Sequence, residues 1–302
     1  MSNFAGVFPI LPTPFLDSEE PDLEGVDHLV DFVLGCGAHG VVVASAESET
    51  GRLSLEERRA LTERVVARVR RRVPVLVGVS HPAALHSSRL VAHAAGLEVN
   101  GFLASPPTGE RRSEEQIRRY YLQVADQAEG LPVFIHDCPG LSGVELSTEL
   151  LLRLARDAAN LSYVLVESPP TGRRVSRLVK ESGGTVHVFG GCAGQFLREE
   201  AARGASGCMP AAVFTDALVA LWNAVQAKDH KAAGSVERAT RALLFFVSQS
   251  TEWTVHCQKE LLHRGGLIRS ARARQPSLLF DAAAQEELMT LAADADLAVL
   301  RG

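Results

Sequence analysis

Polar side chains that could transfer protons stand at the ends of apolar runs in this sequence. His136 and Asp137 end the run PVFIHD, and Glu167 stands near the end of the run YVLVES. Glu47 comes shortly after a third run, GVVVAS (40–45). A histidine titrates near neutral pH and can accept or donate a proton, and a carboxylate beside it can share that task. We therefore expect acid/base chemistry, with His136, Glu47 and Glu167 as candidate catalytic residues.

The rest of the sequence predicts the elements that would position these residues. Eight short apolar runs, most of them rich in Val, Ile and Phe, are typical of strands buried on both faces. The segments between them are amphipathic, and those that open on Ser54, Ser113 and Ser147 carry the start signals of helices. The runs span residues 6–11, 40–45, 73–80, 101–105, 132–137, 163–168, 186–191 and 204–210.

This alternation predicts an α/β protein with the TIM (β/α)8 barrel fold. A doubly wound sheet is the alternative, although no GxGxxG sequence follows the first run. After about residue 213 the strand signals stop, and we expect one helix to close the barrel and about three more to follow. The predicted organisation is a barrel over residues 1–225 and a C-terminal helical extension over 226–302, packed on the barrel.

A barrel of this kind places its active site at the carboxyl ends of the strands. The polar residues after the runs are therefore expected to face one mouth and to meet a substrate there. The predicted substrate-binding residues are Ser45, Ser80, Thr108, Asp137 and Cys192. Glu49, His81, Ser105 and Ser168 follow strands in the same way.

Composition and spacing exclude several classes of function. The 302 residues carry a net charge of −5 and show no basic face, which argues against a nucleic acid or an anionic membrane as partner. The five cysteines form no CxxC pair, and no HxH or HExxH spacing occurs, so we expect neither a metal site nor a cofactor. No apolar run approaches the ~20 residues of a membrane span. The N-terminus is broken by prolines, unlike a signal peptide, so we expect a cytoplasmic protein with a small-molecule substrate.

Five stretches of the chain, taken in order, resemble one known family. They are GVFPILPTPF, GAHGVVVASAESETGRLSLEERR, LPVFIHDCPGLSGVELS, GGCAGQFLREEAARGASGCMP and QKELLHRGGLIRSARARQPSLLF. Together they are similar to the dihydrodipicolinate synthase / N-acetylneuraminate lyase family, the pyruvate-type Schiff-base aldolases. The resemblance covers nearly the whole chain, and it implies a TIM barrel and a homo-oligomer, a dimer or a tetramer.

The resemblance fails at the positions that carry the family's chemistry. The Schiff-base lysine of the family aligns with Val166, and its catalytic tyrosine aligns with His136. The arginine that would hold a substrate carboxylate aligns with Leu141, and the tyrosine pair becomes Pro107 and Thr108. The Gly-Thr-Thr-Gly-Glu loop becomes residues 45–49. These differences imply a diverged member that lacks the catalytic lysine.

The resemblance also bears on side-chain direction and on the substrate. If His136 takes the place of the tyrosine it points into the barrel, so strand alternation predicts that Val166 does too and that Glu167 leans outward unless the turn redirects it. Glu47 replaces a threonine, and a carboxylate there would favour a cationic or neutral, polyol-like substrate over an anion. The structural alternatives are a buried His136 bonded to Asp137, a Glu47 bonded to backbone N–H groups, and an inherited, structural Glu167.

Three functions are compatible with these residues. The first is a lyase-class enzyme on a small polar metabolite that uses His136 with a carboxylate and forms no Schiff base. The second is a catalytically inactive family member with a regulatory or assembly role. The third is residual aldolase activity through another lysine, and the chain offers only Lys180, Lys228, Lys231 and Lys259. None of the four is expected to reach the mouth, so the third function is the weakest.

Overall fold

A computed structural model describes residues 4–301 of the chain. Eight parallel strands form one sheet in the order β1-β8-β7-β6-β5-β4-β3-β2. The strands are β1 (Gly6–Val7), β2 (Val41–Val43), β3 (Val75–Gly78), β4 (Gly101–Ala104), β5 (Val133–Asp137), β6 (Tyr163–Val166), β7 (His187–Gly190) and β8 (Gly207–Cys208). Ile10 bridges to both Val42 and Ala211, which joins the two edges of the sheet. The predicted TIM barrel is confirmed.

The helices of the barrel begin where the sequence predicts them. Ser54, Ser113 and Ser147 each accept a hydrogen bond from a backbone N–H in the first turn of the helix that follows. The first nine helices are α1 (Leu23–Gly35), α2 (Leu55–Val69), α3 (Ala84–Ala95), α4 (Glu114–Gln127), α5 (Pro139–Ser142), α6 (Thr148–Asp157), α7 (Thr171–Glu181), α8 (Leu197–Ala202) and α9 (Thr215–Gln226).

Three further helices follow the barrel, as predicted for the C-terminal extension. They are α10 (His230–Val247), α11 (Thr251–Arg264) and α12 (Ala282–Ala295). Within residues 4–301, no helix combines the length and the apolar character that crossing a lipid bilayer requires. The boundary after residue 225 stays a prediction.

Alternation along the strands separates an inner core from an outer one. Phe134, Leu165 and Phe189 pack with one another inside the barrel. Ile135 and Val166 belong to the outer core between the sheet and the helices. Since successive side chains of a strand point to opposite faces, the next inward positions are the residue after Ile135 on β5 and the residue after Val166 on β6.

The first strand is shorter than the apolar run that predicts it. β1 ends at Val7, and regular pairing is interrupted before Ile10. Pro9 lies between them and has no backbone N–H to donate to a neighbouring strand. Its carbonyl oxygen still accepts a hydrogen bond of 2.9 Å from the Val42 N–H, so the barrel stays closed at this point.

Candidate functional site

His136 lies at the carboxyl end of β5, inside the barrel, with both ring nitrogens engaged. Its Nδ1 is 3.0 Å from the Ser105 Oγ, and its Nε2 is 2.8 Å from the Glu167 Oε2. The residue is 2% exposed. The imidazole therefore joins the end of β4 to the end of β6 and is fixed at both nitrogens.

Glu167 points into the barrel, so the predicted orientation of this strand end is wrong. β5 and β6 are in register with Asp137 beside Val166, and both of these side chains face outward. Glu167 follows Val166 on the inner face. Its Oε1 accepts a 2.8 Å hydrogen bond from the Cys192 backbone N–H. Gly191 makes room for this side chain, because a Cβ there would lie 2.3 Å from the Glu167 Cγ.

Glu47 is the third candidate catalytic residue, and it is buried in the turn Ala46–Ser48. The Gln258 Nε2, from α11, lies 3.5 Å from its Oε2. Burial raises the pKa of Glu47 to about 8, the charge of Glu167 adds to the rise, and His136 opposes it. Near neutral pH the Glu47 carboxyl is therefore mostly protonated, so it can donate a hydrogen bond.

The His136–Glu167 pair has the opposite electrostatic character. Burial acts to raise the pKa of Glu167, but attraction to His136 and two hydrogen bonds leave it lowered. Burial acts to lower the pKa of His136, but Cys138 and the hydrogen-bonded Glu167 carboxylate raise it well above its usual value. The site therefore holds an imidazolium–carboxylate pair beside a neutral carboxyl group, an arrangement that can assign acid and base roles to different side chains.

The predicted substrate-binding residues do not all meet at one place. Asp137 faces outward, is buried, and accepts hydrogen bonds of 2.6 Å from the Arg174 Nε and 3.0 Å from the Ser168 Oγ. Ser45 is buried, and its backbone N–H donates to the Ser48 Oγ. Cys192 is partly exposed and contributes its backbone N–H to Glu167.

A cavity of about 660 Å³ opens at the mouth beside β2, β3, β4 and β5. Ser80 and Thr108 line it, together with Ser105. The other lining residues are Ala46, Thr50, Gly51, Leu53, Ser54, Leu55, Arg58, His81, Pro82, Pro106, Leu141 and Ser142. The candidate catalytic residues do not line the cavity. Ser105 joins the cavity to one of them, because its hydroxyl contacts the His136 ring.

Lys259 is a buried lysine whose partner the sequence did not reveal. It forms an ion pair with Glu49 and donates a 2.9 Å hydrogen bond to the Arg272 carbonyl oxygen. Its Nζ lies 4.3 Å from the centroid of the Phe15 ring. Burial lowers its pKa to about 8, and Glu49 opposes the change. Both side chains of the pair are fully buried, so Lys259 and Glu49 stabilise the contact between α11 and the loop after β2.

Sequence reasoning placed Ser105 at the mouth but gave it no role, and it missed Gln258. The position of Ser105 directly after the β4 run was the available signal; Gln258 lies in a helix with no such signal. Among residues 4–301, no group of three or more His, Cys, Asp or Glu side chains is arranged to hold a metal ion.

Comparisons with known proteins agree with the fold. The sequence model of the dihydrodipicolinate synthetase family matches residues 3–295. The L-2-keto-3-deoxyarabonate dehydratase of Azospirillum brasilense is 29% identical over 300 residues, which cover 98% of this chain and 96% of that protein. The 4-hydroxy-tetrahydrodipicolinate synthase 2 of Halalkalibacterium halodurans is 32% identical over 189 residues, or 63% of this chain and 64% of that protein.

A solved structure has the same fold over nearly the whole chain. The crystal structure of dihydrodipicolinate synthase from Rhodopseudomonas palustris superposes with a TM-score of 0.89 at 27% identity. The match covers 96% of this chain and 97% of that one. The barrel and the C-terminal helices therefore share one architecture with that protein.

Proposed function

Because the chain belongs to the dihydrodipicolinate synthetase family, we propose that it is a lyase-class enzyme that acts on a small polar metabolite by acid/base chemistry, without a Schiff base. The observation that carries this proposal is the buried His136–Glu167 pair, with 2.8 Å between Nε2 and Oε2. Relatives of the chain include a dehydratase and a synthase.

Glu47 and the His136–Glu167 pair would take different roles in the reaction. At neutral pH only about a tenth of a carboxyl group with a pKa of about 8 is ionised, but that ionised form is a stronger general base than an ordinary carboxylate. Glu47 would remove the proton from the carbon beside the substrate carbonyl. The His136 imidazolium, held charged by Glu167, would supply a proton to the substrate oxygen and so give an enol. A hydroxyl group on the next carbon would then leave as water with the proton taken up by Glu47, while the enol proton returns to His136.

The lysines of the chain support a mechanism without an imine. A Schiff base needs an amine near the substrate that is at least partly neutral. Lys180 is exposed on α7, and Lys228 and Lys231 are exposed at the start of the C-terminal helices. Lys259 is fully buried and paired with Glu49. The inward position at the end of β6 carries the Glu167 carboxylate.

The mouth also indicates the class of substrate. Leu141, which aligns with the family's carboxylate-binding arginine, lines the cavity and is 46% exposed. Arg58 lines the cavity as well, but its guanidinium donates 3.0 Å hydrogen bonds to the carbonyl oxygens of Gly78 and Ser80. We therefore propose a neutral substrate that carries a carbonyl and hydroxyl groups, such as a hydroxyketone.

Exchange of carbon-bound protons tests this function without knowledge of the full reaction. The protein is incubated in D2O with a panel of small hydroxyketones, hydroxyaldehydes and 2-keto-3-deoxy acids, and loss of the proton signal beside the carbonyl is followed by NMR. We expect His136→Asn to slow exchange about 100-fold or more. His28→Asn, on the exposed face of α1, is the matched control and should exchange like the wild type. Equal rates in wild type and His136→Asn would contradict the proposal.

A catalytically inactive protein with a regulatory or assembly role is the second candidate. The observation that favours it is that His136, Glu47 and Glu167 do not line the mouth cavity. A wild-type protein that exchanges no proton on any member of the panel, yet assembles into a defined oligomer, would support this alternative. We propose a homo-oligomer, a dimer or a tetramer, in the cytoplasm, and sedimentation velocity measures its state.

A further inference from the structure

Ser105 occupies the boundary between the cavity and the buried pair. It is the first residue after β4, and its backbone N–H donates a 2.8 Å hydrogen bond to the Ser80 Oγ. Its own hydroxyl lies 3.0 Å from the His136 Nδ1. Ser105 lines the 660 Å³ cavity, whereas His136 does not. Ser105 therefore belongs to the wall of the cavity, and its hydroxyl group contacts the buried imidazole of His136.

The atoms from the cavity inward form a continuous chain of hydrogen bonds. The Ser105 hydroxyl contacts His136, His136 contacts the Glu167 Oε2 at 2.8 Å, and the Glu167 Oε1 accepts from the Cys192 N–H at 2.8 Å. A hydroxyl group can donate one hydrogen bond while it accepts another, and an imidazole can do the same through its two nitrogens. The carboxylate at the inner end is held by a backbone donor, so the chain has one fixed end and one end at the cavity.

We propose that Ser105 carries protons between a ligand in the cavity and the His136–Glu167 pair; this inference rests on the proposed function and adds a catalytic residue to it. The His136 Nδ1–H passes its proton to the Ser105 Oγ while the Ser105 hydroxyl passes its own proton to a carbonyl or hydroxyl oxygen of the ligand. The reverse transfer restores both groups. Protons balance over the two steps, and no bond to carbon is made or broken at the serine.

Burial explains why the relay is needed. His136 is 2% exposed, and a ligand in the cavity meets the wall at Ser105. Direct transfer requires a heavy-atom distance of roughly 2.6–3.2 Å between donor and acceptor. The Ser105 Oγ satisfies that requirement toward His136, and its place in the cavity wall offers the same contact to a ligand oxygen.

Solvent exchange at the histidine itself tests the relay in the absence of any substrate. With 15N-labelled histidine, NMR measures how fast the His136 Nδ1 proton exchanges with water. We expect Ser105→Ala to slow this exchange at least about tenfold, and Ser105→Thr, which keeps the hydroxyl, to stay near the wild-type rate. Ser87→Ala removes a fully buried serine that is hydrogen-bonded to Tyr120 and lies outside the cavity wall, and it is the matched control. Unchanged exchange in Ser105→Ala would overturn the proposal.

The same variants separate failure of the relay from failure of the function. Ser105→Ala should retain the melting temperature of Ser87→Ala within a few degrees, which shows that the barrel is intact. If the wild type exchanges no ligand proton but Ser105→Ala still slows exchange at His136, the proposed function fails and the relay stands. If ligand exchange depends on His136 but not on Ser105, the function stands and the relay is wrong.

Discussion

His136 and Glu167 meet inside the barrel, where the His136 Nε2 lies 2.8 Å from the Glu167 Oε2. The contact joins the ends of two neighbouring strands, and the carboxylate is held from its other side by the Cys192 N–H. In a poorly solvated site, a hydrogen-bonded ion pair stabilises the charged form of each partner. The charge on His136 should therefore depend on Glu167.

Replacing Glu167 by Gln tests that dependence. The amide keeps a hydrogen-bonding group in place but removes the negative charge that stabilises the imidazolium. Burial, which disfavours the charged imidazolium, then has the larger effect on the pKa of His136. We expect the pKa of His136 to fall, and an NMR titration of the ring nitrogens measures it. The control is Glu63→Gln, which removes an exposed carboxylate on α2 and should leave the titration of His136 as in the wild type. An unchanged His136 pKa would contradict the assignment.

Glu200 makes the stability of the fold depend on pH. Its side chain is 0% exposed, and burial raises its pKa from 4.5 to about 7 although the Thr171 hydroxyl opposes the rise. Between these two pH values the folded state binds more protons than the unfolded state, so the free energy of unfolding falls as pH rises. The shift corresponds to about 3 kcal/mol.

The variant Glu200→Gln should remove the part of this pH dependence that Glu200 contributes, whereas the buried Glu47, whose pKa is raised to about 8, should retain a part of the same sign. Urea unfolding at pH 5 and pH 7 gives the free energy of unfolding, and the difference between the two values is the quantity of interest. Glu199→Gln, an exposed neighbour on α8, is the control and should keep the wild-type difference. A difference between pH 5 and pH 7 that is the same in Glu200→Gln as in the wild type would contradict the raised pKa of Glu200.

The fold of this chain could be predicted from its sequence, whereas the direction of the β6 side chains could not. Short Val-rich runs and serine-capped helices repeat often enough to specify a barrel. The run Tyr163–Val166, however, is apolar at every position, because one face packs inside the barrel and the other packs against the helices. Such a strand lacks the polar alternation that separates inside from outside. The predicted directions at the end of β6 are therefore wrong by one residue: Glu167 points into the barrel, and Val166 points outward.

Partners far apart in the sequence were equally beyond prediction. Asp137 is held by Arg174, which lies 37 residues away, and Lys259 is held by Glu49, which lies 210 residues away. Nothing in the local sequence distinguishes a carboxylate that binds substrate from one that anchors a helix. Asp137 was predicted to bind substrate because it stands at the carboxyl end of the fifth strand; in the structure it faces α7.

Lys259 should be important for stability although it takes no part in the proposed chemistry. Removing one partner of a buried ion pair leaves the other charge without compensation and typically costs about 3–5 kcal/mol. We expect Lys259→Met to lower the free energy of unfolding by about that amount in urea, because Glu49 would remain buried. The exposed Lys180→Met is the control and should change it by less than about 0.5 kcal/mol. An effect of Lys259→Met no larger than that of Lys180→Met would contradict this role of the Lys259–Glu49 pair.

The orientation of β6 leads to a prediction about where an introduced lysine can react. Glu167 points into the barrel toward His136, and Val166 points into the outer core. A lysine at 167 would place its amine inside the barrel, where burial and the His136 ring favour the neutral, nucleophilic form. A lysine at 166 would lie between the sheet and the helices. The first amine can attack the carbonyl of pyruvate and lose water to form an imine, and the second has no access to the mouth.

We therefore expect borohydride with pyruvate to give a covalent adduct in Glu167→Lys and none in Val166→Lys or the wild type, as measured by mass spectrometry of the intact protein. Circular dichroism establishes that each variant is folded, and Val166→Met serves as a second outward variant that adds no charge to the core. Peptide mapping must place the adduct at residue 167. An adduct in Val166→Lys but not in Glu167→Lys would reverse the orientation of the strand, and with it the pairing of Glu167 with His136 on which the proposed chemistry depends.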